Sequence, residues 1–149
     1  ADVSNAGMYL TSTTQRLSAL GSSLSVRLNA GELFLSIAGT VGKPCITMFK
    51  SCIHDGFVYF PSLKINNKFL YYIFDAGQAY LGLGKMGTQL NLNTETVGGI
   101  KIGLPPVDEI EEIIGYIEQQ KEKYENVLKI IRSEFSCSAS HSCTVATAM

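Results

Sequence analysis

The residues of this chain that could do covalent chemistry are few, and their spacing argues against it. Cys52 and His54 alternate onto one face of an extended segment, as a nucleophile beside its base would, but a short polar and apolar strand gives the same pattern. Cys45, Cys52, Cys137 and Cys143 have no zinc-like spacing, and His141 with its two cysteine neighbours lies in a Ser/Thr/Ala-rich tail that offers no rigid shell. No metal site is expected. Asp55, Asp75 and Glu95 stand isolated, so no carboxylate pair marks acid-base work. Gly82-Leu-Gly84-Lys-Met-Gly87 matches the dinucleotide fingerprint letter for letter, yet it follows helical spacing rather than a strand and runs into Thr-Gln-Leu-Asn-Leu-Asn. Gly39-Thr-Val-Gly-Lys43 resembles the end of a P-loop without its first glycine or its metal-binding hydroxyl. No catalytic residue is expected.

Recognition chemistry is better supplied. Thr14, Gln15, Arg16, Lys43, Lys50, Gln78, Tyr80, Lys85, Thr88, Gln89, Asn91 and Asn93 fall in loops. Gln, Asn and Lys can read base edges, while Lys, Thr and the backbone amides of glycine loops can hold phosphates. Solvated loop residues account for the same list, and residue chemistry leaves both readings open.

The element best marked is a C-terminal helix. Ile110, Ile114, Ile117, Tyr124, Leu128, Ile131 and Phe135 are spaced by alternating fours and threes, with Lys121 the one break, and this heptad seam predicts pairing with another helix. Ile113, Val127 and Ile130 widen the stripe, which packing against the chain's own body would also produce. Asp108, Glu109, Glu111 and Glu112 crowd the expected first turn and Lys129 and Arg132 the last, each matching the helix dipole. Pro105-Pro106 imposes extended geometry just before the helix and separates it from the body.

The 149 residues, 46% hydrophobic and 17% charged, suffice for one buried core and not for two. We expect a recognition body over 1–104, a helix over 105–136, and a disordered or non-native tail over 137–149. The body to residue 106 holds eight Lys/Arg against five Asp/Glu, whereas 107–136 holds four against eight. A body that can approach an anion and a rod that cannot is the reading. With no apolar run of membrane-spanning length and no leader at the start, the expected location is cytoplasmic. The opening Ala-Asp-Val-Ser-Asn reads like the middle of a loop, so the natural chain is expected to start earlier.

Within the body, Thr13 to Leu20 fits a short helix or turn ending at Gly21. Glu32 to Ala38 predicts a strand, Gly39 to Gly42 a turn, Pro44 to Phe49 its hairpin partner, and Phe57 to Phe60 another strand closed by Pro61. Phe69/Leu70 and Ile73/Phe74 recur at helical spacing after Asn66-Asn67 as caps. A glycine-rich loop spans Gly77 to Gly87, and Ile100 to Leu104 reads as a strand. The fold class is α+β: a mixed, strand-rich body followed by one long helix of coiled-coil type.

In this order the pieces resemble the specificity subunit of type I restriction-modification systems. Gly31-Glu-Leu-Phe-Leu-Ser-Ile-Ala-Gly-Thr-Val-Gly42 is similar to that family's Gly-Asp-hydrophobic-Ser strand and Gly-Thr-x-Gly turn. Gly87-Thr-Gln-Leu-Asn-Leu-Asn93, Ile100-Lys-Ile-Gly-Leu-Pro-Pro106 and Glu109 resemble its Gly-Thr-Gln loop, its Pro-Leu-Pro-Pro junction and the Glu-Gln pair opening its conserved helix. Gly103 stands where Pro is common and Ile110 where Gln is common. The resemblance implies half of a plan in which two target recognition domains, each followed by a long helix, are held apart by antiparallel helix pairing. It implies a subunit without its own catalysis that binds one part of a split double-stranded DNA target. Its partners would be a methyltransferase subunit using S-adenosylmethionine, an ATP- and Mg-dependent restriction translocase, and a second recognition domain or a second copy paired through the helix.

Two other classes stay in view. A coiled-coil protein-interaction module with no DNA role would bind without steep salt dependence. An enzyme built on Cys52 and His54 would reveal itself by selective alkylation.

Overall fold

The computed structural model describes residues 2–81, 83 and 92–139, with side chains to 135. It divides into two compact units, Ala1–Leu104 and Pro105–Met149. The class is α+β, a sheet-rich first unit followed by a long helix.

The first unit is built on a four-stranded sheet of order β1-β4-β3-β6, from Tyr9–Leu10 (β1), Leu33–Ser36 (β3), Pro44–Thr47 (β4) and Phe57–Tyr59 (β6). Strand β3 is central to it, pairing antiparallel with β4 (Phe34 opposite Cys45) and with β6 (Phe34 opposite Tyr59). The edge strand β1 runs parallel to β4. A separate antiparallel ribbon joins Val26–Leu28 (β2) to Ser51–Ile53 (β5).

Every residue of β3 and β4 is buried, as a strand covered on both faces requires. The alternation sorts them. Leu33, Leu35, Ile46 and Val58 pack with Leu70, Tyr71 and Phe74 of the helix Asn67–Asp75 (α3). Phe34 and Cys45 point the other way, onto Leu10, Leu28 and Ile53. The sheet thus lies between α3 and the β2-β5 ribbon. Buried Thr47 satisfies its hydroxyl by donating to the Phe49 carbonyl at 2.8 Å and accepting from Ser51 Oγ at 3.2 Å, which steers the chain from β4 into β5.

The α3 helix starts where the caps predict, with the Asn66 side chain accepting the Lys68 N–H at 2.9 Å. The hairpin strands β3 and β4 and the strand β6 also fall inside their expected ranges. Other expectations need correction. The helix expected from Thr13 forms instead over Ala19–Ser23 (α2), because Ser18 caps it by accepting the Gly21 N–H. Ile100 to Leu104 is not a strand: half-buried Ile100 and Ile102 pack on the core while Lys101 is exposed, so the alternation is satisfied without a ladder partner. Four short elements, Asp2–Asn5 (α1), β1, β2 and Thr94–Gly98 (α4), were not anticipated from the sequence. In α4, Asn93 Oδ1 takes the Thr96 N–H at 2.7 Å as an N-cap.

The second unit is the helix Val107–Ala139 (α5). It runs past Phe135 to Ala139, so Lys129 and Arg132 lie short of its last turn, which holds no basic residue, while Asp108 and Glu109 do occupy the first. Of the seam residues, Ile110 and Ile114 are buried, Ile117 and Leu128 half-buried, and Tyr124, Ile131 and Phe135 exposed. No helix among the described residues is long and apolar enough to cross a membrane.

Candidate nucleic-acid interface

Four of the expected recognition residues meet on one cleft of the first unit. Thr14, Gln15, Arg16 and Lys50 are all exposed and all line an open cavity of about 1040 Å³. Its walls are α1, the loop Thr11 to Leu17, the turn Ala38 to Thr40 and the segment Phe49 to Phe57.

The loop that carries Thr14, Gln15 and Arg16 has no regular structure of its own, so side chains fix it. Asp2 Oδ2 accepts both the Thr14 N–H and the Thr14 hydroxyl at 3.2 Å, and Thr13 Oγ1 donates to the Gln15 carbonyl at 3.1 Å. Ser4 Oγ and Thr40 Oγ1 are 2.7 Å apart and join α1 to the opposite wall. Thr47 sets the exit of β4 and with it the position of Lys50. The cleft joins two cationic side chains, Arg16 and Lys50, to a rim of hydroxyls and amides, a composition suited to phosphate and base-edge contacts.

Lys43 and Tyr80 hold structural posts. The Lys43 ammonium donates to the Ser4 carbonyl at 2.7 Å and the Ala6 carbonyl at 2.5 Å, capping the end of α1. Tyr80 closes the 3-10 turn Gln78–Tyr80; its hydroxyl donates to the Gly42 carbonyl at 2.9 Å and its ring stacks on Phe74. Gln78 in the same turn is exposed. Lys85, Thr88, Gln89 and Asn91 lie outside the described residues.

Titratable groups in the core are held protonated. Burial, reinforced by Asp75, pushes the Tyr71 phenol up to about 12 and raises Tyr80 as well. Burial also raises the Cys45 thiol, against the opposing pull of the nearby Lys43 charge. Cys52 and His54 share no hydrogen bond and point their polar atoms at other partners. Cys52 Sγ is 3.4 Å from Ser22 Oγ, while His54 Nδ1 accepts the Gly56 N–H at 2.9 Å. Ser4, Thr40 and His54 also line the cleft; Ser4 and Thr40 carry no signal in the sequence and His54 stood out there only as a possible base for Cys52, because tertiary pairing alone gathers them with Arg16 on one surface.

This geometry can be set beside known proteins. A solved structure described as the structural basis of complex assembly and conformational transition of the type I R-M system shares 22% identity with this chain at a TM-score of 0.57. The likeness covers 75% of this chain and 28% of that one, and it concerns the fold. The family model described as type I restriction modification DNA specificity domain matches residues 2–131, nearly the whole chain from α1 through most of α5. The chain therefore belongs to the family of type I restriction-modification DNA specificity domains.

Proposed function

We propose that this DNA specificity domain reads one half of a split double-stranded target through the cleft between α1, the Thr11 to Leu17 loop and β5. The observation that carries the reading is the convergence on one open surface of Lys50, just past β4, with Thr14, Gln15 and Arg16, which sit on a loop pinned by Asp2. Cations there neutralise phosphates and set the register, while the amide of Gln15 offers the donor and acceptor pair that adenine matches. The domain itself does recognition and no catalysis. The helix α5 serves as spacer and pairing surface toward a second recognition domain or a second copy. Methyltransferase and restriction subunits assemble on this frame and hold S-adenosylmethionine, ATP and Mg²⁺.

Fluorescence anisotropy of labelled duplexes over a salt series tests the cleft. The logarithm of affinity should fall linearly with the logarithm of salt, and Arg16→Ala and Lys50→Ala should each lower that slope by about one. Slopes identical to the unmutated chain in both variants would reject the cleft as the DNA site.

A further inference from the structure

His54 sits where β5 turns toward β6, and its imidazole is fixed from two sides. Nδ1 accepts the Gly56 N–H at 2.9 Å, and the ring meets Phe57 edge-on with centroids 4.8 Å apart. Phe57 in turn packs edge-on against buried Phe34 at 5.5 Å. A Cβ on Gly56 would stand 2.6 Å from His54 Cε1, so only glycine lets the ring lie over the turn. The turn is closed by the Phe57 N–H on the His54 carbonyl (3.1 Å) and tied to the sheet by the Ile37 N–H on the Gly56 carbonyl (2.9 Å).

Asp55 competes for the same nitrogen. Its Oδ1 lies 3.3 Å from Nδ1, and Nδ1 would need a proton to bond it. The two side chains are 72% and 106% exposed, so water screens that pair, whereas Gly56 is buried and its amide has water as no easy substitute. The shorter, part-buried bond sets the ring. With Nδ1 acting as acceptor, the proton of the neutral imidazole sits on Nε2.

We propose that His54 is a base-reading donor, a turn-locked imidazole offering one Nε2–H to an acceptor on a DNA base edge in the cleft it shares with Arg16 and Lys50. The inference rests on the cleft being the DNA site. A donor of this kind, in its uncharged tautomer, releases no counterion and so adds little to sequence-independent affinity. It is matched to purine N7, guanine O6 or thymine O4, each of which accepts at a defined point of the major groove. A phosphate oxygen offers the same acceptor chemistry, and the test separates the two.

Selection from a randomised duplex library compares the unmutated chain with His54→Asn. An asparagine side-chain oxygen accepts the amide two residues on, as an Asx turn, so the variant keeps the turn and replaces the Nε2 donor by an amide too short to reach the same acceptor. Preference at one base pair should fall about 2- to 12-fold, the worth of one hydrogen bond of about 0.5–1.5 kcal/mol, at an unchanged salt slope. Identical preferences in both proteins overturn the inference, and so does uniform weakening across all sequences, the mark of a phosphate contact. Nitrogen-15 NMR of the imidazole in the unmutated chain gives an answer independent of the variant: a proton on Nδ1 overturns it. If the unmutated chain selects no sequence and binds no duplex, the cleft reading itself fails and the inference falls with it, an outcome distinct from loss of the His54 effect alone.

Discussion

The Tyr80 hydroxyl donates to the Gly42 carbonyl at 2.9 Å, and a Cβ on Gly42 would come within 3.0 Å of the Tyr80 ring. The aromatic ring therefore clamps the turn between β3 and β4 while lying on the core through Phe74. Gly42 also has φ +82, a conformation that costs another residue roughly 1–2 kcal/mol. Tyr80→Phe should destabilise by about 0.5–1.5 kcal/mol and Gly42→Ala by more, read as a lower urea midpoint at constant slope. A neutral Gly42→Ala would disprove the clamp.

Lys43 should behave unlike Arg16 in DNA binding. Its ammonium is committed to the Ser4 and Ala6 carbonyls, so Lys43→Met should leave the salt slope as it is and loosen α1 instead. Limited proteolysis should cut earlier within residues 2–7, and a slope lower by about one would return Lys43 to the DNA surface.

The buried phenols predict alkaline sensitivity. Tyr71 is raised to about 12 and Tyr80 is raised too, so the fold favours their protonated forms. Their contribution is fully present below the unfolded tyrosine value of about 10 and is lost as pH rises from there through the folded values. In an ultraviolet titration these two should ionise only together with unfolding. Tyr71→Phe should shift the alkaline transition upward; an unmoved transition would contradict the assignment.

On α5, Leu128 lies in the seam between exposed Tyr124 and Ile131. If the seam pairs with another helix, Leu128→Glu places an unpaired charge there and should weaken association by about 3–5 kcal/mol. Sedimentation that finds the unmutated chain monomeric both alone and with its partner subunits would remove the pairing role.

Elements with a local signature were legible before the structure. The Asn66 cap and the spacing of Phe69, Leu70 and Phe74 define α3, and the heptad series defines α5. Strands β1 and β2 were not, since two or three residues carry too little alternation and their existence depends on distant β4 and β5. Ile100-Lys-Ile misled for the converse reason, because inward isoleucines can pack in extended coil as well as in a sheet. The cleft was legible in its residue types but not in its membership. Asp2 selects the loop of Thr14 and Gln15, whereas Lys43, equally basic in sequence, is drawn to the carbonyls of α1.

The parallel pairing of β1 with β4 carries a consequence for how the cleft opens. The backbone bonds from β4 to this edge are the Ile46 N–H on the Met8 carbonyl and the Met48 N–H on the Leu10 carbonyl, joining segments far apart in the chain, whereas the Thr47 N–H bonds to Glu32 inside the local β3-β4 hairpin. Closing a long loop for a two-residue strand leaves β1 the least secured part of the sheet. Amide exchange should therefore proceed faster at Ile46 and Met48 than at Thr47, and equal protection at all three would argue that the sheet opens as one. If β1 detaches first, the wall bearing Asp2 and Thr14 stays tethered to the β3-β4 turn through Lys43 and the Ser4–Thr40 contact, so the width of the proposed DNA cleft is set by side-chain bonds that local unfolding alone can release.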